Sequence, residues 1–600
     1  MSAGMNGALN LWPIGNCQIS ALIDRDGAFV WGCLPRVDGP PAFSALLDDG
    51  LHPDGQGFWA IELEGCTKTT QRYLRNTPIL ETRHEDDAGN AIVVTDFCPR
   101  FHRHGRIYRP VAYIRIVRPV SGSPRIRVRL RPTRDWARRE VERTCGSNHI
   151  RYMLGHMTLR LSTSAPIGWI EDEQVFRVER PLHFFLGPDE GFDGNIATTA
   201  EEMLDLTIRE WRHWVRGLAI PLEWQEAVIR SAITLKLCQH EETGAIVAAL
   251  TTSIPEHAGS GRNWDYRFCW IRDAYYTTQA LNRLGALDVL ESYLEYLRNI
   301  VDNARSGHIQ PLYGVGGEAR LEERIEAGLA GYRGMGPVRV GNQAYAQMQH
   351  DAYGQIVLSN VQAFFDQRLY RMAGEEDFRA LERVGERAWL SYDQADSGLW
   401  ELRGRFHVHT YCAAMCWAAC DRLAKAAHHL GLHDRQTVWQ ERADRMGRVI
   451  IDAAWREDTQ RMSATFDGDL LDASLIQLLD LRFLAPDDPR FLGTLRAVEH
   501  GLRRGSHMLR YADEDDFGLP QSAFNICTFW LIEALHATGR HSDARDLFEE
   551  MLARRTPAGL LSEDTNPHTG ELWGNYPQTY SLVGLINCAT LLSKPWSAVR

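Results

Sequence analysis

The chain has 600 residues, of which 44% are hydrophobic and 24% charged, a composition typical of folded globular proteins rather than disordered or collagen-like ones. Its 66 lysines and arginines against 78 aspartates and glutamates give a net charge of −12. This acidic balance disfavours a protein whose main task is to bind nucleic acid, because neutralising phosphates requires a basic surface.

The amino terminus has no positively charged segment followed by an apolar run, and no stretch approaches the roughly 18 consecutive apolar residues of a membrane span. We therefore expect a soluble, cytoplasmic protein that has no membrane partner. The 12 cysteines form no C-x-x-C pair, so free and mostly buried thiols are expected.

The first third of the chain alternates between apolar and polar residues. Ile126, Val128 and Leu130 fall on one side of a predicted strand, and the arginines between them fall on the other. Similar segments, separated by turn-like sequences, continue to about residue 193 and predict an antiparallel β-sandwich, which we place at residues 1–195. Because the chain is acidic overall, we interpret the arginines as a solvated strand face.

From about Thr198 the apolar period changes to that of an α-helix. Residues 196–220 predict a helical linker that ends near Gly217 and Pro221. Further helices are predicted over residues 222–240, 268–285, 287–304, 349–373, 376–390, 407–430, 434–455, 471–480, 488–503, 521–538, 541–554 and 577–593. Their alternating short and long connections favour six hairpins that close into an α/α barrel over residues 221–600. An open α-solenoid is the competing architecture, but the sequence has no fixed-period repeat.

The long connections carry tryptophan or tyrosine beside carboxylates, arginines and amides. They span residues 251–267, 305–348, 392–406 and 556–576. Aromatic rings pack against the C–H faces of a sugar, and charged or amide side chains bind its hydroxyls. The loops therefore predict a carbohydrate pocket at one end of the barrel.

Two loop carboxylates are candidates for the chemistry of glycoside cleavage, which needs one protonated and one ionised carboxyl group. Glu401 follows Trp400, and Glu563 lies in the motif LLSED. An indole against a carboxyl group favours its protonated form, as a general acid requires. Most of the 78 acidic residues must be solvated surface groups, so spacing alone does not select this pair.

Several segments resemble, in the expected order, the blocks of glycoside hydrolase family 15, which contains glucoamylases, glucodextranases and bacterial trehalases. They begin GRNWDYRFCWIRDA, GLWELRGRF, ADEDDFGLPQ and GLLSEDTNP and span residues 261–285, 398–427, 512–540 and 559–587. Residues 14–47 resemble the opening of the β-sandwich domain found in the prokaryotic members. The likeness covers most of the chain.

The resemblance implies a six-hairpin α/α barrel behind the β-sandwich and an exo-acting α-glucoside hydrolase that inverts the anomeric configuration. By position, it makes Glu401 the general acid and Glu563 the general base that activates water. An inverting pair is expected to lie about 6.5–9.5 Å apart. The implied glucose-binding residues are Arg272 and Asp273 of the WIRDA motif, with Trp270 and Trp400 as walls of the pocket.

Two details concern the part of the site beyond the cleaved bond. The best-known fungal members have a substrate-binding glutamate directly after the acid, whereas Leu402 and Arg403 stand here, so that subsite is not carried over. The segment GYRGMGPVRVGNQA resembles a loop of the prokaryotic relatives and makes Tyr332, Arg333 and Arg339 candidate substrate contacts. Ion-paired loop anchors are an equally good interpretation of the two arginines.

Cys412, Cys416 and Cys420 recur every four residues on one predicted helix, near His407 and His409. They continue an apolar stripe and lack the C-x-x-C pairs of a structural zinc site, so we interpret them as core residues. We expect neither a metal ion nor an organic cofactor.

The sequence thus favours a glucoamylase-type glucan 1,4-α-glucosidase that releases glucose from the non-reducing ends of α-glucans or oligosaccharides. The alternatives are an α,α-trehalase and an isomaltose- or dextran-directed glucohydrolase. A non-catalytic carbohydrate-binding protein is disfavoured, because both carboxylates are present in their motifs. Linkage preference, oligomeric state, any ion requirement and the task of the β-sandwich stay open.

Overall fold

A computed structural model of the chain describes residues 9–48, 55–191, 194–304 and 307–599. The first eight residues, on which the prediction about the amino terminus partly rests, lie outside these ranges. Within these ranges, no helix combines the length and the apolar character needed to cross a membrane.

The amino-terminal part is built from antiparallel strands. They are β1 (Trp12–Gly15), β2 (Ser20–Ile23), β3 (Phe29–Cys33), β4 (Pro41–Phe43), β5 (Phe58–Leu63), β6 (Cys66–Tyr73), β7 (Leu80–Asp86), β8 (Ala91–Phe97), β9 (Phe101–Arg103), β10 (Arg106–Tyr108), β11 (Tyr113–Ser121), β12 (Arg125–Arg131), β13 (Glu142–Cys145), β14 (His149–Met153), β15 (Thr158–Thr163), β16 (Phe176–Arg177) and β17 (Leu182–Pro188). A short helix, α1 (Ile167–Glu171), precedes β16.

These strands form two large sheets, as the alternation predicts. Over the described residues, one sheet has the order β1-β2-β3-β5-β12-β16 with β4 beside β3, and the other has the order β13-β14-β15-β17-β11-β8-β7-β6. In β12, Ile126 and Val128 are fully buried while Arg125 and Arg127 are exposed. Arg131 donates to Glu173 across 2.6 Å, so the arginine face is a solvated, partly ion-paired surface and the β-sandwich prediction is confirmed.

Helix α2 (Ile196–Arg216) joins the sandwich to the helical part. The side-chain oxygen of Asn195 caps its first turn by accepting two backbone N–H groups at 2.8 and 3.2 Å. On its buried face, Trp211 packs in one apolar cluster with Cys17 of the sandwich and Leu237 of the first barrel helix. The linker therefore holds the two parts together.

The helices of the carboxy-terminal part are α3 (Gln225–Leu237), α4 (Ile271–Arg283), α5 (Leu287–Asn303), α6 (Asp351–Val361), α7 (Glu375–Ser391), α8 (Thr410–His429), α9 (His433–Ala454), α10 (Gln477–Asp480), α11 (Pro489–Leu502), α12 (Asn525–Ala537), α13 (His541–Ala553) and α14 (Thr579–Leu592). Each of the helical segments predicted beyond residue 221 overlaps one of them, and α7 and α9 begin one residue before their predicted segments. The prediction of the helices is therefore confirmed.

Alternate helices close into a ring. Helix α4 contacts α6, α6 contacts α8, α8 contacts α10 and the preceding 3₁₀ turn (Ala473–Ile476), that turn contacts α12, α12 contacts α14, and α14 contacts α4. The other helices pack on the outside of this ring. Helix α3 packs against α14, α5 against α4, α7 against α6, α9 against α8, α11 against the 3₁₀ turn, and α13 against α12. The inner α14 is buried nearly all round, whereas the outer α9 buries one stripe, as the predicted α/α barrel requires.

Each long connection leads into an inner helix, so the loops meet around the amino-terminal ends of the inner ring. They contain short strands: β18 (Cys269–Trp270) pairs with β19 (Leu312–Tyr313), β20 (Arg324–Ile325) with β21 (Arg339–Val340), β22 (Trp455–Arg456) with β23 (Arg461–Met462), β24 (Arg503–Arg504) with β25 (His507–Met508), and β26 (Ala523–Phe524) with β27 (Asp564–Thr565), which also pairs with β28 (Leu572–Trp573). These strand pairs give the loop end of the barrel a regular structure.

The sandwich packs against this loop end. The indole nitrogen of Trp31 donates to the carbonyl oxygen of Leu250 at 2.8 Å. Arg267, which is fully buried, pairs with Asp265 at 2.7 Å and donates to the carbonyl oxygen of Gly39 at 2.6 Å. These contacts hold the segment that leads into α4.

Candidate active site

The residues that the sequence singles out for catalysis and glucose binding line one pocket at the loop end of the barrel. Its lining includes Trp270, Arg272, Asp273, Trp400, Glu401 and Glu563. Closure of the ring therefore brings together side chains that are far apart in the sequence.

Glu401 lies in a tight turn that begins at Asp396. The Asp396 carboxylate accepts the backbone N–H of Gly398 at 3.1 Å, and the Glu401 N–H donates back to the Gly398 carbonyl, also at 3.1 Å. Glu401 itself has a left-handed backbone, with φ of 61°. Gln347 holds the same turn by donating to the Glu401 carbonyl at 3.1 Å. The turn aims the side chain into the pocket.

Two donors approach the same oxygen of the Glu401 carboxyl group. The indole nitrogen of Trp270 lies 2.6 Å from Oε1, and a guanidinium nitrogen of Arg272 lies 3.1 Å from it. Both donors stand at the start of α4. Among the described residues, the hydrogen bonds to this carboxyl group all go to Oε1, which leaves Oε2 for a substrate.

Arg272 is 8% exposed and faces three carboxylates. Besides Glu401, it lies 3.9 Å from Asp273 and 3.7 Å from Asp351, and it donates to the amide oxygen of Gln349 at 3.1 Å. Burial lowers the pKa of Arg272, but these negative charges outweigh it and raise the pKa well above the usual value. Arg272 therefore stays charged. Burial raises the pKa of Asp273 to about 6 against the lowering effect of Arg272.

Trp400 forms a wall of the pocket, but its indole N–H does not point to Glu401. Its indole nitrogen donates to Asp472 at 3.0 Å. Its ring packs against Phe524 and Trp530, with centroid separations of 5.9 and 6.3 Å. The indole that contacts Glu401 is therefore Trp270, although the sequence pointed to the adjacent Trp400.

Glu563 has a different environment from Glu401. It is 1% exposed, and its Oε1 accepts the hydroxyl of Tyr266 at 2.6 Å. Its Oε2 is buried and has no hydrogen-bond partner among the described residues. Burial and then the charge of Glu256 raise the pKa of Glu563, while Tyr266 and Arg510 lower it.

Tyr266 and Trp270 connect the two carboxyl groups. Their rings meet edge to face with centroids 5.3 Å apart. Tyr266 donates to Glu563 and Trp270 donates to Glu401. Sequence reasoning missed Tyr266, although it lies in the motif GRNWDYRF, two residues after Trp264. The tyrosine hydroxyl in that block was the feature that could have identified Tyr266 as a site residue.

A buried ion pair that sequence reasoning also missed stands beside Glu563. Arg510 donates to Oε2 of Glu256, and the indole nitrogen of Trp264 donates to Oε1 of Glu256 at 3.0 Å. Glu256 is 2% exposed and Arg510 is 8% exposed. This pair joins two of the loops that lead into inner helices, and removing either partner would leave an uncompensated buried charge.

The outer part of the pocket is also polar and aromatic. The Arg403 guanidinium stacks on Trp264, 4.5 Å from the ring centroid, and makes a two-pronged pair with Glu323 at 2.7 and 3.1 Å. Arg262 makes a similar pair with Asp515 at 2.5 and 2.7 Å. We call Arg262, Trp264, Arg403, Asp515, Asp516 and Phe517, which all line the pocket, the outer rim.

The three candidates from the segment GYRGMGPVRVGNQA lie near the pocket, but none is among its described lining residues. Arg333 pairs with Glu571 at 3.0 Å and stacks between Tyr332 and Trp573. Arg339 pairs with Glu323 at 3.0 Å and stacks on Trp264, 5.2 Å from its centroid. Arg339 therefore contacts the outer rim through Trp264 without lining the pocket itself.

The cysteines of α8 lie in the core. Cys412, Cys416 and Cys420 are at most 3% exposed and pack in the main apolar cluster. In the part of the chain that the structure describes, no three histidine, cysteine, aspartate or glutamate side chains are placed to hold a metal ion.

An α/α barrel with two carboxyl groups in a deep pocket of aromatic and charged side chains defines a glycoside hydrolase. Residues 224–590 match the sequence family described as glycosyl hydrolases family 15, and residues 10–170 match the family described as trehalase-like, N-terminal. The chain belongs to glycosyl hydrolase family 15, as the resemblance of its motifs indicated.

Related proteins share nearly the whole chain. A protein named trehalase from Mycolicibacterium smegmatis is 32% identical over 96% of this chain and 89% of its own length. A trehalase from Thermoplasma volcanium is 29% identical over 97% of this chain and 93% of its own length. A crystal structure of a bacterial glucoamylase complexed with acarbose has the same fold, with a TM-score of 0.68 and 14% identity over 98% of this chain and 96% of that one.

Proposed function

We propose that the protein hydrolyses α,α-trehalose to glucose with inversion at the attacked anomeric carbon. Relatives that bear the name trehalase match this chain from end to end, sandwich included. The composition of the pocket agrees with a disaccharide: besides the two carboxyl groups, it is lined by Arg272 and Asp273 and by the polar and aromatic groups of the outer rim.

In the proposed reaction, Oε2 of Glu401 gives its proton to the glycosidic oxygen while the bond from that oxygen to the anomeric carbon breaks. A water molecule on the opposite face attacks the same carbon, and Glu563 takes the proton that this water loses. Glu401 ends ionised and Glu563 ends protonated, and one proton exchanged with solvent restores the starting state.

The surroundings of the carboxyl groups support these roles. Trp270 and Arg272 occupy Oε1 of Glu401 and stabilise the carboxylate that forms after proton transfer. Tyr266 occupies Oε1 of Glu563, which leaves the buried Oε2 as the atom that accepts the proton from water. The observation that carries the proposal is this pairing of one free oxygen on each carboxyl group in a single pocket.

The glucoamylase-type activity that the sequence favoured is the second candidate, and it has less support. The bacterial glucoamylase structure is 14% identical to this chain, whereas the two trehalases described above are 29–32% identical over 96–97% of it. An isomaltose- or dextran-directed activity has no specific contact in its favour.

A substrate panel with anomer detection tests the proposal. Trehalose, maltose, maltotriose, isomaltose and soluble starch would be compared by released glucose, and the first product formed from trehalose would be followed by proton NMR. We expect trehalose to have the highest kcat/KM and to give equal initial amounts of α- and β-glucose. Faster hydrolysis of starch than of trehalose would contradict the substrate, and α-glucose alone would contradict inversion.

A further inference from the structure

Glu563 has a second buried carboxyl group directly beside it. Asp564 is 1% exposed, and its Oδ2, like Oε2 of Glu563, has no hydrogen-bond partner among the described residues. Both oxygens face Gly574, whose φ is 74°: a Cβ atom built on this glycine would lie 2.8 Å from Oε2 of Glu563 and 2.9 Å from Oδ2 of Asp564. The two free oxygens therefore converge on one small space.

The cations of this region are engaged with other carboxylates. Arg510 pairs with Glu256, and Arg262 pairs with Asp515. Within the described residues, no lysine, arginine or histidine nitrogen lies within 4.0 Å of either Glu563 or Asp564. The two converging carboxyl groups consequently share a buried space without a cation of their own.

Two neighbouring carboxylates in a desolvated space cannot both carry a charge at low cost, so such a pair holds one proton between its members. The hydroxyl of Tyr266 stabilises the charge on Glu563. The charges of Glu563, Glu256 and Arg510 act on Asp564, and Ser522 is its hydroxyl neighbour, but Oδ2 has no partner among the described residues. The short hydrogen bond from Tyr266 therefore favours the charge on Glu563.

We infer that Asp564 holds this proton while Glu563 is ionised, which makes Asp564 a positioning residue that sets the charge of the base. The inference rests on the proposed role of Glu563. Burial, followed by the charges of Glu563 and Glu256, raises the pKa of Asp564 well above its usual range, and burial also raises the pKa of Glu563, which agrees with a proton held by the pair. A neutral Asp564 also presents an O–H donor to the space that Oε2 of Glu563 faces.

The Asp564→Asn variant tests this assignment, because asparagine is neutral and keeps a donor. We expect the acidic limb of its pH profile to move by less than about 0.3 pH units, because the charge that faces Glu563 is unchanged and a donor remains. Asp564→Leu, which is neutral without a donor, should lose about tenfold or more in kcat, and its acidic limb should move to higher pH because Glu563 loses a donor.

An ionised Asp564 would give the opposite pH result. Removing its charge would lower the pKa of Glu563 and move the acidic limb down by about one pH unit or more, which would overturn the inference. A loss of about 100-fold or more in Asp564→Asn would also overturn it, provided that the thermal unfolding midpoint and glucose binding are unchanged.

An infrared difference spectrum reads the proton directly and needs no substrate. Subtracting the spectrum of Asp564→Asn from that of the unaltered protein at neutral pH should leave the C=O band of a protonated carboxyl group. Asp488→Asn is the control, because the hydrogen bond from Arg490, which lies 2.6 Å away, lowers the pKa of Asp488, so this variant should leave carboxylate bands. Carboxylate bands for Asp564 would contradict the inference even if the substrate were not trehalose.

Discussion

The indole nitrogen of Trp270 lies 2.6 Å from Oε1 of Glu401 and ties the start of α4 to the turn that carries the proposed acid. The Trp270→Phe variant keeps an aromatic wall and removes the donor. We expect kcat to fall about 10–100-fold with little change in KM, because a hydrogen bond to the developing carboxylate is lost. Trp400→Phe is the control, since that indole donates to Asp472 instead. An equal loss of kcat in both variants would contradict a specific role for Trp270.

Removing either proposed catalytic carboxyl group should have a larger effect. Glu401→Gln and Glu563→Gln are each expected to lower kcat by about 10²–10⁴-fold, because general acid or general base catalysis is lost while the shape of the pocket is kept. Glucose binding, measured by calorimetry, should survive in both. Near-normal turnover in one variant would remove that residue from its role.

The Tyr266→Phe variant tests the contact that holds Glu563. The ring stays in its edge-to-face contact with Trp270, and only the 2.6 Å hydrogen bond to Glu563 is lost. We expect kcat to fall about 10–100-fold and the acidic limb of kcat/KM to move to higher pH, because the donor lowers the pKa of Glu563 and its loss raises it. A limb that moves to lower pH would contradict this account.

Arg403 should matter for the part of the substrate that leaves. In the Arg403→Met variant, the side chain keeps much of its apolar stem but loses its pair with Glu323 and its cation on Trp264. We expect KM for trehalose to rise about tenfold with a smaller change in kcat, since the outer rim lies beyond the catalytic pair. Arg333→Met is the matched control, because Arg333 pairs with Glu571 outside the pocket lining. Equal KM changes in the two variants would count against the outer rim as a sugar subsite.

The fold could be predicted because periodicity reports which face of an element is buried. The alternation of apolar and polar residues predicted the sandwich, and the helical period predicted the helices of the barrel. The predicted helix boundaries were wrong where side-chain contacts override periodicity. The segment 349–373 was predicted to be one helix, but α6 ends at Val361. Past a 3₁₀ turn, the carboxylate of Asp366 accepts the N–H of Arg368 at 3.1 Å and turns the chain.

The site could be predicted only as far as its motifs reach. Glu401 and Glu563 came from motif resemblance, and the structure places both in one pocket. The contacts between loops could not be predicted, because Tyr266 and Glu563 lie on connections without periodicity and meet only when the ring has closed. The same reason explains why Trp270, rather than the sequence neighbour Trp400, contacts Glu401.

A half-buried acid at the other end of the barrel makes stability depend on pH. Glu533 on α12 lines a pocket together with Asp480, Arg283 and Asn587. Burial, and next the charge of Asp480, raises the pKa of Glu533 from 4.5 to about 8, against the opposing effect of Arg283. The folded protein therefore retains a proton that the unfolded chain releases.

The sign follows from proton linkage. Between pH 4.5 and about 8 the folded state binds the extra proton, so stability falls as the pH rises through this window. The slope for one proton is about 1.4 kcal/mol per pH unit. In the Glu533→Gln variant, folding no longer takes up this proton. The variant should therefore be more stable to heat than the unaltered protein at about pH 8, and the gain should be smaller at about pH 5. Melting curves at both pH values measure the difference, with Glu202→Gln on the exposed face of α2 as control. An equal effect of Glu533→Gln at the two pH values would show that Glu533 does not hold a proton in the folded state.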